Sequence, residues 1–215
     1  KRSGFVTAEK LSKNWSIGLE AARRTVEATT QMAVRDFSDT SGGRRLKPHA
    51  SILKWKRLPE DLNTDTMMAK CKSLRGNSCT QVYASPFHWV FVRPMVKKGD
   101  AHYTLDELFS KAGVSRLIIP DNAKEETEGM FLKKCRKAQC RILPIEAYTS
   151  NANLVEGDIR ELKCQFRRVM IEKSIPEVLW DWVLAWVSMT RSNTALKFEG
   201  TGRQDTGYQN VWRYL

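Results

Sequence analysis

Residues 116–125 read RLIIPDNAKE, and this stretch decides the fold. A short apolar run closed by Pro120 and Asp121 predicts a buried strand that ends at the aspartate. Working downstream, Phe131, Cys135 and Ala138 share one face at helical spacing, and RILPIEAY (141–148) reads as the next strand. Working upstream, Thr104 to Ala112 reads as a helix with Thr104 and Glu107 as its capping box. Leu105, Leu108, Phe109 and Ala112 fall on its inner face, and Gly113 stops it. Before that helix come three β-rich runs: LNTDTMMAK (62–70), SCTQVYA (78–84) and HWVFVRPM (88–95). Arg75-Gly76-Asn77 marks a turn between the first two. Strands followed by alternating helix and strand predict an α/β domain.

The segment from Asn153 to Lys173 predicts a long amphipathic helix. Val155, Ile159, Leu162, Phe166 and Val169 follow the 3.6-residue period and must face a core. Glu156, Arg160, Lys163 and Arg167 each lie one step later and form a second stripe beside it. That places an acid on the rim of the buried face with a basic track running away from it. Read by itself, the stripe is also what ordinary Glu–Arg pairing on a solvated helix looks like, at about 0.3 kcal/mol per pair.

The flanks read more simply. Residues 1–38 form a helical segment, with AEKLSKNW and LEAARRTVEATTQ joined around Gly18. Two readings fit it: a helix-turn-helix with Arg23 and Arg24 toward phosphates, or a helical hairpin packed on the main domain. Residues 39–60 are a basic linker that opens on DTSGGRRLKPHAS. Residues 61–175 are the main domain. Ser174-Ile175-Pro176-Glu177 reads as a capped helix start that leads into residues 176–215, a C-terminal Trp-rich helix and tail with VLWDWVLAWVSM (178–189). Its tryptophans serve either a core or a surface for self-association.

Composition narrows the function classes. The net charge is +12, and residues 1–60 carry 13 basic against 6 acidic side chains. A polyanionic partner is the simplest reading, because Lys and Arg gain by releasing counterions condensed on nucleic acid. No run reaches the roughly 18 apolar residues of a membrane-spanning helix, and no signal peptide opens the chain. Cys71, Cys79, Cys135, Cys140 and Cys164 form no CxxC pair, and with His49, His88 and His102 they draw no zinc site. The thiols read as reduced, hence intracellular. The chain opens on Lys1, which reads as a fragment of a longer polyprotein.

Asp65 lies in NTDTMMAK, Asp121 closes the buried strand, and Glu156 follows Asp121 by 35 positions. This arrangement resembles the Asp, Asp-35-Glu triad of retroviral-type integrases. The segment from Leu11 to Thr194 resembles the integrase region of copia-type LTR retrotransposons. It does so through LSKNWSIGLEAARRTVEATTQ (11–31), TDTM (64–67), KGDAHYTLDELFSKAGV (98–114), PDNAKEETEGMFLKKC (120–135), ANLVEGDIRELK (152–163), LWDW (179–182) and TRSNTAL (190–196). It departs from the family at Asn122-Ala123, at Thr149-Ser150 and after Phe198.

The resemblance implies an RNase H-like fold: a mixed five-stranded sheet flanked by helices, here with an N-terminal helical extension. It implies Asp65, Asp121 and Glu156 as catalytic residues holding two Mg²⁺ or Mn²⁺ ions. Hard cations take oxygen ligands and keep positions open for phosphate and water, and a metal pair clamps the attacking and leaving oxygens of an in-line displacement. It implies double-stranded DNA as partner, met by Asn153, Arg160, Lys163, Arg167, Arg23 and Arg24. It further implies a homo-oligomer with no membrane and no small-molecule substrate, working in the nucleus if the host is a eukaryote. The expected activity is 3′-end processing and strand transfer. A catalytically decayed DNA-binding module and an RNase H-type nuclease are the alternatives.

Overall fold

In the computed structural model, residues 6–28, 57–58, 60–121, 128–144, 154–197 and 204–206 are described. The linker over 39–51, Asn153, Asn122-Ala123 and Thr149-Ser150 lie outside them. Two N-terminal helices, α1 (Ala8–Trp15) and α2 (Leu19–Ala28), precede a short strand β1 (Arg57–Leu58). A meander of β2 (Leu62–Met68), β3 (Cys79–Ala84) and β4 (Val90–Met95) follows. Then come α3 (Ala101–Lys111), β5 (Val114–Ser115), β6 (Leu117–Pro120), α4 (Gly129–Lys137) and β7 (Arg141–Ile142). The chain continues through α5 (Leu154–Glu172), α6 (Trp180–Ser192), β8 (Ala195–Lys197) and β9 (Gln204–Thr206).

The expected mixed five-stranded sheet is present, in the order β4-β3-β2-β6-β7. β2, β3 and β4 pair antiparallel. β6 lies parallel to β2 and β7 parallel to β6. The first hairpin closes where Gly76 takes a φ of +81°, a conformation that L side chains rarely adopt. There the Ser73 hydroxyl accepts from the backbone N–H groups of Arg75 and Asn77 at 3.2 and 3.1 Å.

Period-two alternation sorts the strands onto two faces. One face brings Leu62, Cys79, Tyr83, Met95 and Ile118 against Leu105, Leu108 and Phe109 of α3 and Phe131 and Cys135 of α4. The other brings Val82, Ala84, Val90 and Val92 against Ile159, Leu162 and Val169 of α5 and Trp180, Val183, Leu184 and Val187 of α6. The Trp-rich helix is thus a layer of the same core as α5. Leu105 and Leu162 are fully buried, and truncating either to Ala would cost about 3 kcal/mol.

Three local expectations are corrected. α3 starts at Ala101, not Thr104. Thr104 is interior, its hydroxyl donating to the Ala101 carbonyl at 2.6 Å and lying 2.6 Å from the Tyr83 hydroxyl. Glu107 pairs with Arg93 and Lys111 at 2.6 Å each instead of capping. The capping box at Ser174–Glu177 does not form either. Ser174 takes a φ of +48° and ends α5, with the Ile175 N–H donating to the Met170 carbonyl at 3.0 Å. And β1, inside the segment read as linker, pairs in parallel with β5.

The N-terminal helices pack as a hairpin on the core. Thr25 Oγ1 accepts from the Ala195 N–H at 2.9 Å. Arg168 of α5 and Lys173, just past its end, donate to the Ser16 and Lys13 carbonyls at 3.4 and 3.3 Å. No helix among the described residues is long and apolar enough to cross a membrane.

Candidate active site

Two of the three expected acids meet at the centre of the sheet. The parallel ladder pairs Thr64 with Pro120. Asp65 and Asp121 follow at the next position of each strand, and the Asp121 N–H donates to the Thr64 carbonyl at 3.4 Å. Asp65 shares its sheet face with Met67, which packs against the α5–α6 core, so its carboxylate opens toward α5. It is half-buried, while Asp121 is exposed.

The electrostatics follow from that placement. Burial pushes the Asp65 carboxyl above the ordinary carboxylate range. A hydrogen bond from the Thr66 N–H, 2.6 Å to Oδ1, opposes the rise. The charge of Asp121 adds to it, and those of Lys98 and Lys163 oppose it. Burial and the Asp121 charge thus disfavour the charged form of Asp65, and the Thr66 N–H, Lys98 and Lys163 favour it.

Glu156 stands in the first turn of α5, exposed, at the helix end where the macrodipole favours an acid. It does not join the pair. Among the described residues no three His, Cys, Asp or Glu side chains come close enough together to hold a metal ion. The α5 charge that Asp65 feels is Lys163, seven residues further on. Three uncompensated carboxylates repel one another, so a third acid gains nothing by closing on the first two.

The basic stripe is where periodicity put it. Arg160, Lys163 and Arg167 are exposed, and among the described residues they form no ion pair. Beside them runs a groove of about 400 Å³ between Met67–Cys71 and the Lys163–Ile171 stretch of α5, with Phe166, Met170 and Trp180 in its lining. On the N-terminal hairpin, Arg23 is exposed and pairs with Glu20 at 2.7 Å. Arg24 is half-buried, and its Nε finds no hydrogen-bond partner among the described residues.

Sequence reasoning passed over four residues that matter here. Lys98 sits in a turn after β4, and nothing in KGD marks it as a neighbour of Asp65. Asp158 is 2% exposed, two positions after Glu156, and is met at 2.8 Å by both His88 and Arg191. A polar residue on the buried stripe of an amphipathic helix was the available signal for Asp158. Its partners are 70 and 33 positions away, beyond any local pattern.

No family model matches the chain, and no curated protein matches it. Solved structures do. The catalytic core domain of BIV integrase superposes with a TM-score of 0.56 at 13% identity, covering 72% of this chain and 95% of that one. The HTLV-2 integrase catalytic core domain, solved in complex with magnesium, gives 0.55 at 18% identity, covering 72% and 97%. A chain of the simian T-cell lymphotropic virus intasome, solved in complex with PP2A regulatory subunit B56 gamma, gives 0.55 at 16% identity. That match covers 75% of this chain but only 59% of the viral one. By its sheet order and these superpositions, the chain has the RNase H-like fold of retroviral integrase catalytic cores.

Proposed function

We propose that this chain is the catalytic core of a copia-type retrotransposon integrase, which trims the 3′ ends of element DNA and joins them to target DNA. The observation that carries the reading is the Asp65–Asp121 pair: two carboxylates, each one residue beyond the paired Thr64 and Pro120, the charge of one adding to the raised pKa of the other, on an integrase-core fold. Such a pair suits a hard divalent cation, since oxygen ligands of like charge are what Mg²⁺ or Mn²⁺ compensates. Asp65 and Asp121 would hold one ion, and Asp65 with Glu156 the second. When bound, the metal supplies neutralisation of phosphoryl charge and a more acidic attacking oxygen.

The chain's own residues bind and orient. Arg160, Lys163 and Arg167 would track the DNA backbone away from the acids, so affinity would rest on phosphates and not on base edges. Lys163 does two things at once, meeting phosphate and steadying the Asp65 anion. Val178, in the turn before α6, and Trp182 and Met189 on it, exposed by 44%, 44% and 56%, would form the contact of a homo-oligomer. In a eukaryotic host the site of action would be the nucleus.

The departures from the family at Asn122-Ala123 and after Phe198 support a second reading, a DNA-binding module without catalysis. One experiment separates the two. A labelled donor duplex is incubated with Mg²⁺ or Mn²⁺ and scored for shortened and joined products. Joined product from the wild type supports the integrase. Cutting without joining indicates an RNase H-type nuclease. Tight DNA binding with neither product indicates the non-catalytic module.

A further inference from the structure

Asp158 lies on the opposite side of α5 from Glu156: two residues turn a helix by about 200°. It is 2% exposed, next to the apolar Ile159 and one turn before Leu162. A lone buried carboxylate is strongly disfavoured, and this one has two partners. Arg191, near the end of α6, donates from a terminal guanidinium nitrogen to Asp158 Oδ1 at 2.8 Å. His88, in the turn between β3 and β4, places Nδ1 2.8 Å from the same oxygen.

Both partners are anchored. The Ser188 and Ser192 hydroxyls flank Arg191 and donate to the Val90 carbonyl at 2.7 and 3.1 Å, and Ser192 Oγ accepts from the Val90 N–H at 2.9 Å. His88 adopts a φ of +61°, a conformation that costs a non-glycine residue of order 1 kcal/mol. The turn is held around it by the Ser85 side chain, which accepts from the Phe87 and Trp89 N–H groups at 3.3 Å each. Glycine would fill that backbone position without strain, so the imidazole is the gain. Two elements, the β3–β4 turn and α6, thus converge on one oxygen of α5, two residues from Glu156.

We propose that Asp158, His88 and Arg191 form a clamp that positions the first turn of α5, and through it sets where Glu156 stands relative to the Asp65–Asp121 pair. They are positioning residues and touch neither metal nor DNA. The inference rests on reading Glu156 as a metal ligand. With the first turn of α5 held to the β3–β4 turn and to α6, the clamp fixes the backbone from which Glu156 projects. Apolar packing from Ile159 and Leu162 fixes the depth of the helix, while a charged pair fixes its rotation and register.

The test uses His88→Gly, which removes the imidazole and relieves the backbone, together with His88→Asn, which keeps a donor and tolerates the left-handed conformation. Strand transfer is measured with kcat separated from the KM for DNA, at varied Mg²⁺. Groups that orient metal ligands typically account for about 10–100-fold in activity or metal affinity. The glycine variant should lose about tenfold in kcat and need several-fold more Mg²⁺, with its KM for DNA unchanged. The asparagine variant should recover part of both. A folded glycine variant with wild-type kcat and Mg²⁺ dependence overturns the clamp. Should the wild type itself join no DNA, the integrase reading fails, and hydrogen exchange judges the clamp. Faster exchange in His88→Gly confined to amides 156–160 upholds it, and unchanged exchange there overturns it.

Discussion

Asp65 lies one residue beyond Thr64 on β2, and Asp121 one residue beyond its ladder partner Pro120, just past the end of β6. Their side chains share the sheet face that opens toward α5, and Asp121 adds to the upward shift of the Asp65 carboxyl that burial begins. The pair is thus a stored repulsion, and substitution should release it. Because the folded-state pKa of Asp65 is raised, the folded chain binds that proton more tightly than the unfolded one. Stability without metal therefore falls as pH rises from the ordinary aspartate value through the raised one. Asp65→Asn should melt higher than the wild type at neutral pH, by about 2 °C for a chain of this size. The gain should vanish once the pH is below the ordinary aspartate range. Calorimetry at two pH values checks this, and a variant no more stable at pH 7 would refute it.

The same shift couples metal to protons. A cation at Asp65 must displace a proton held more tightly than usual, so Mg²⁺ or Mn²⁺ should bind more weakly as pH falls into the raised range. Titration of Mn²⁺ by electron paramagnetic resonance at a series of pH values would show it. Asp65→Asn, Asp121→Asn and Glu156→Gln should each abolish cutting and joining with DNA binding largely intact. Equal product from all three would trace the activity to a contaminant.

Lys163 acts on two partners, and its removal should show both effects. Lys163→Ala should weaken DNA binding about equally for all sequences and flatten the log–log salt slope by about one unit. Arg160→Ala and Arg167→Ala should do the same. Only Lys163→Ala should also raise the pH at which activity appears, because it strips a favourable charge from Asp65. A changed base preference at constant salt slope would argue against a phosphate track.

Asp181 ties α6 to the first hairpin. Its buried carboxylate accepts from Arg75 Nε at 2.8 Å and from Asn77 Nδ2 at 2.7 Å, and Arg75 also lies over the Trp182 ring at 4.6 Å. Burial opposes ionisation, but the hydrogen bonds from Arg75, Asn77 and Ser73 outweigh it and hold the carboxyl below its usual value. That stability is present above the ordinary aspartate pKa and is lost as pH falls through the lowered one. Asp181→Ala should destabilise by about 2 kcal/mol. Arg75→Ala should do less, since Arg75 is partly solvated and screened. Urea denaturation of both variants measures the difference.

The exposed stripe of Val178, Trp182 and Met189 should govern association. Trp182→Glu should shift the chain toward monomer in sedimentation velocity while leaving its far-ultraviolet spectrum unchanged. An unaltered sedimentation coefficient would assign the stripe to something other than self-association.

Much of the architecture was legible in the chain because its signals are local. Alternation in residues 62–95, the closed run at 117–120 and the 3.6-residue period of α5 each follow from the side-chain geometry of one element. They foretold the sheet, the two buried helical faces and the exposed basic stripe. Helix starts were less legible: Thr104 and Ser174 look like caps, but tertiary partners decided otherwise, Tyr83 claiming one and the end of α5 the other. The sequence by itself placed Arg160, Lys163 and Arg167 on the Glu156 stripe of α5, since that depends on spacing along one helix. Only the tertiary structure decided that Asp65 and Asp121 come together beyond the Thr64–Pro120 pair, that Lys98 and Lys163 favour the Asp65 carboxylate, and that Asp158 is gripped from 33 and 70 positions away. Those facts depend on how strands pair and helices dock, and desolvation and Coulomb energy act over distance in space, which sequence separation does not encode.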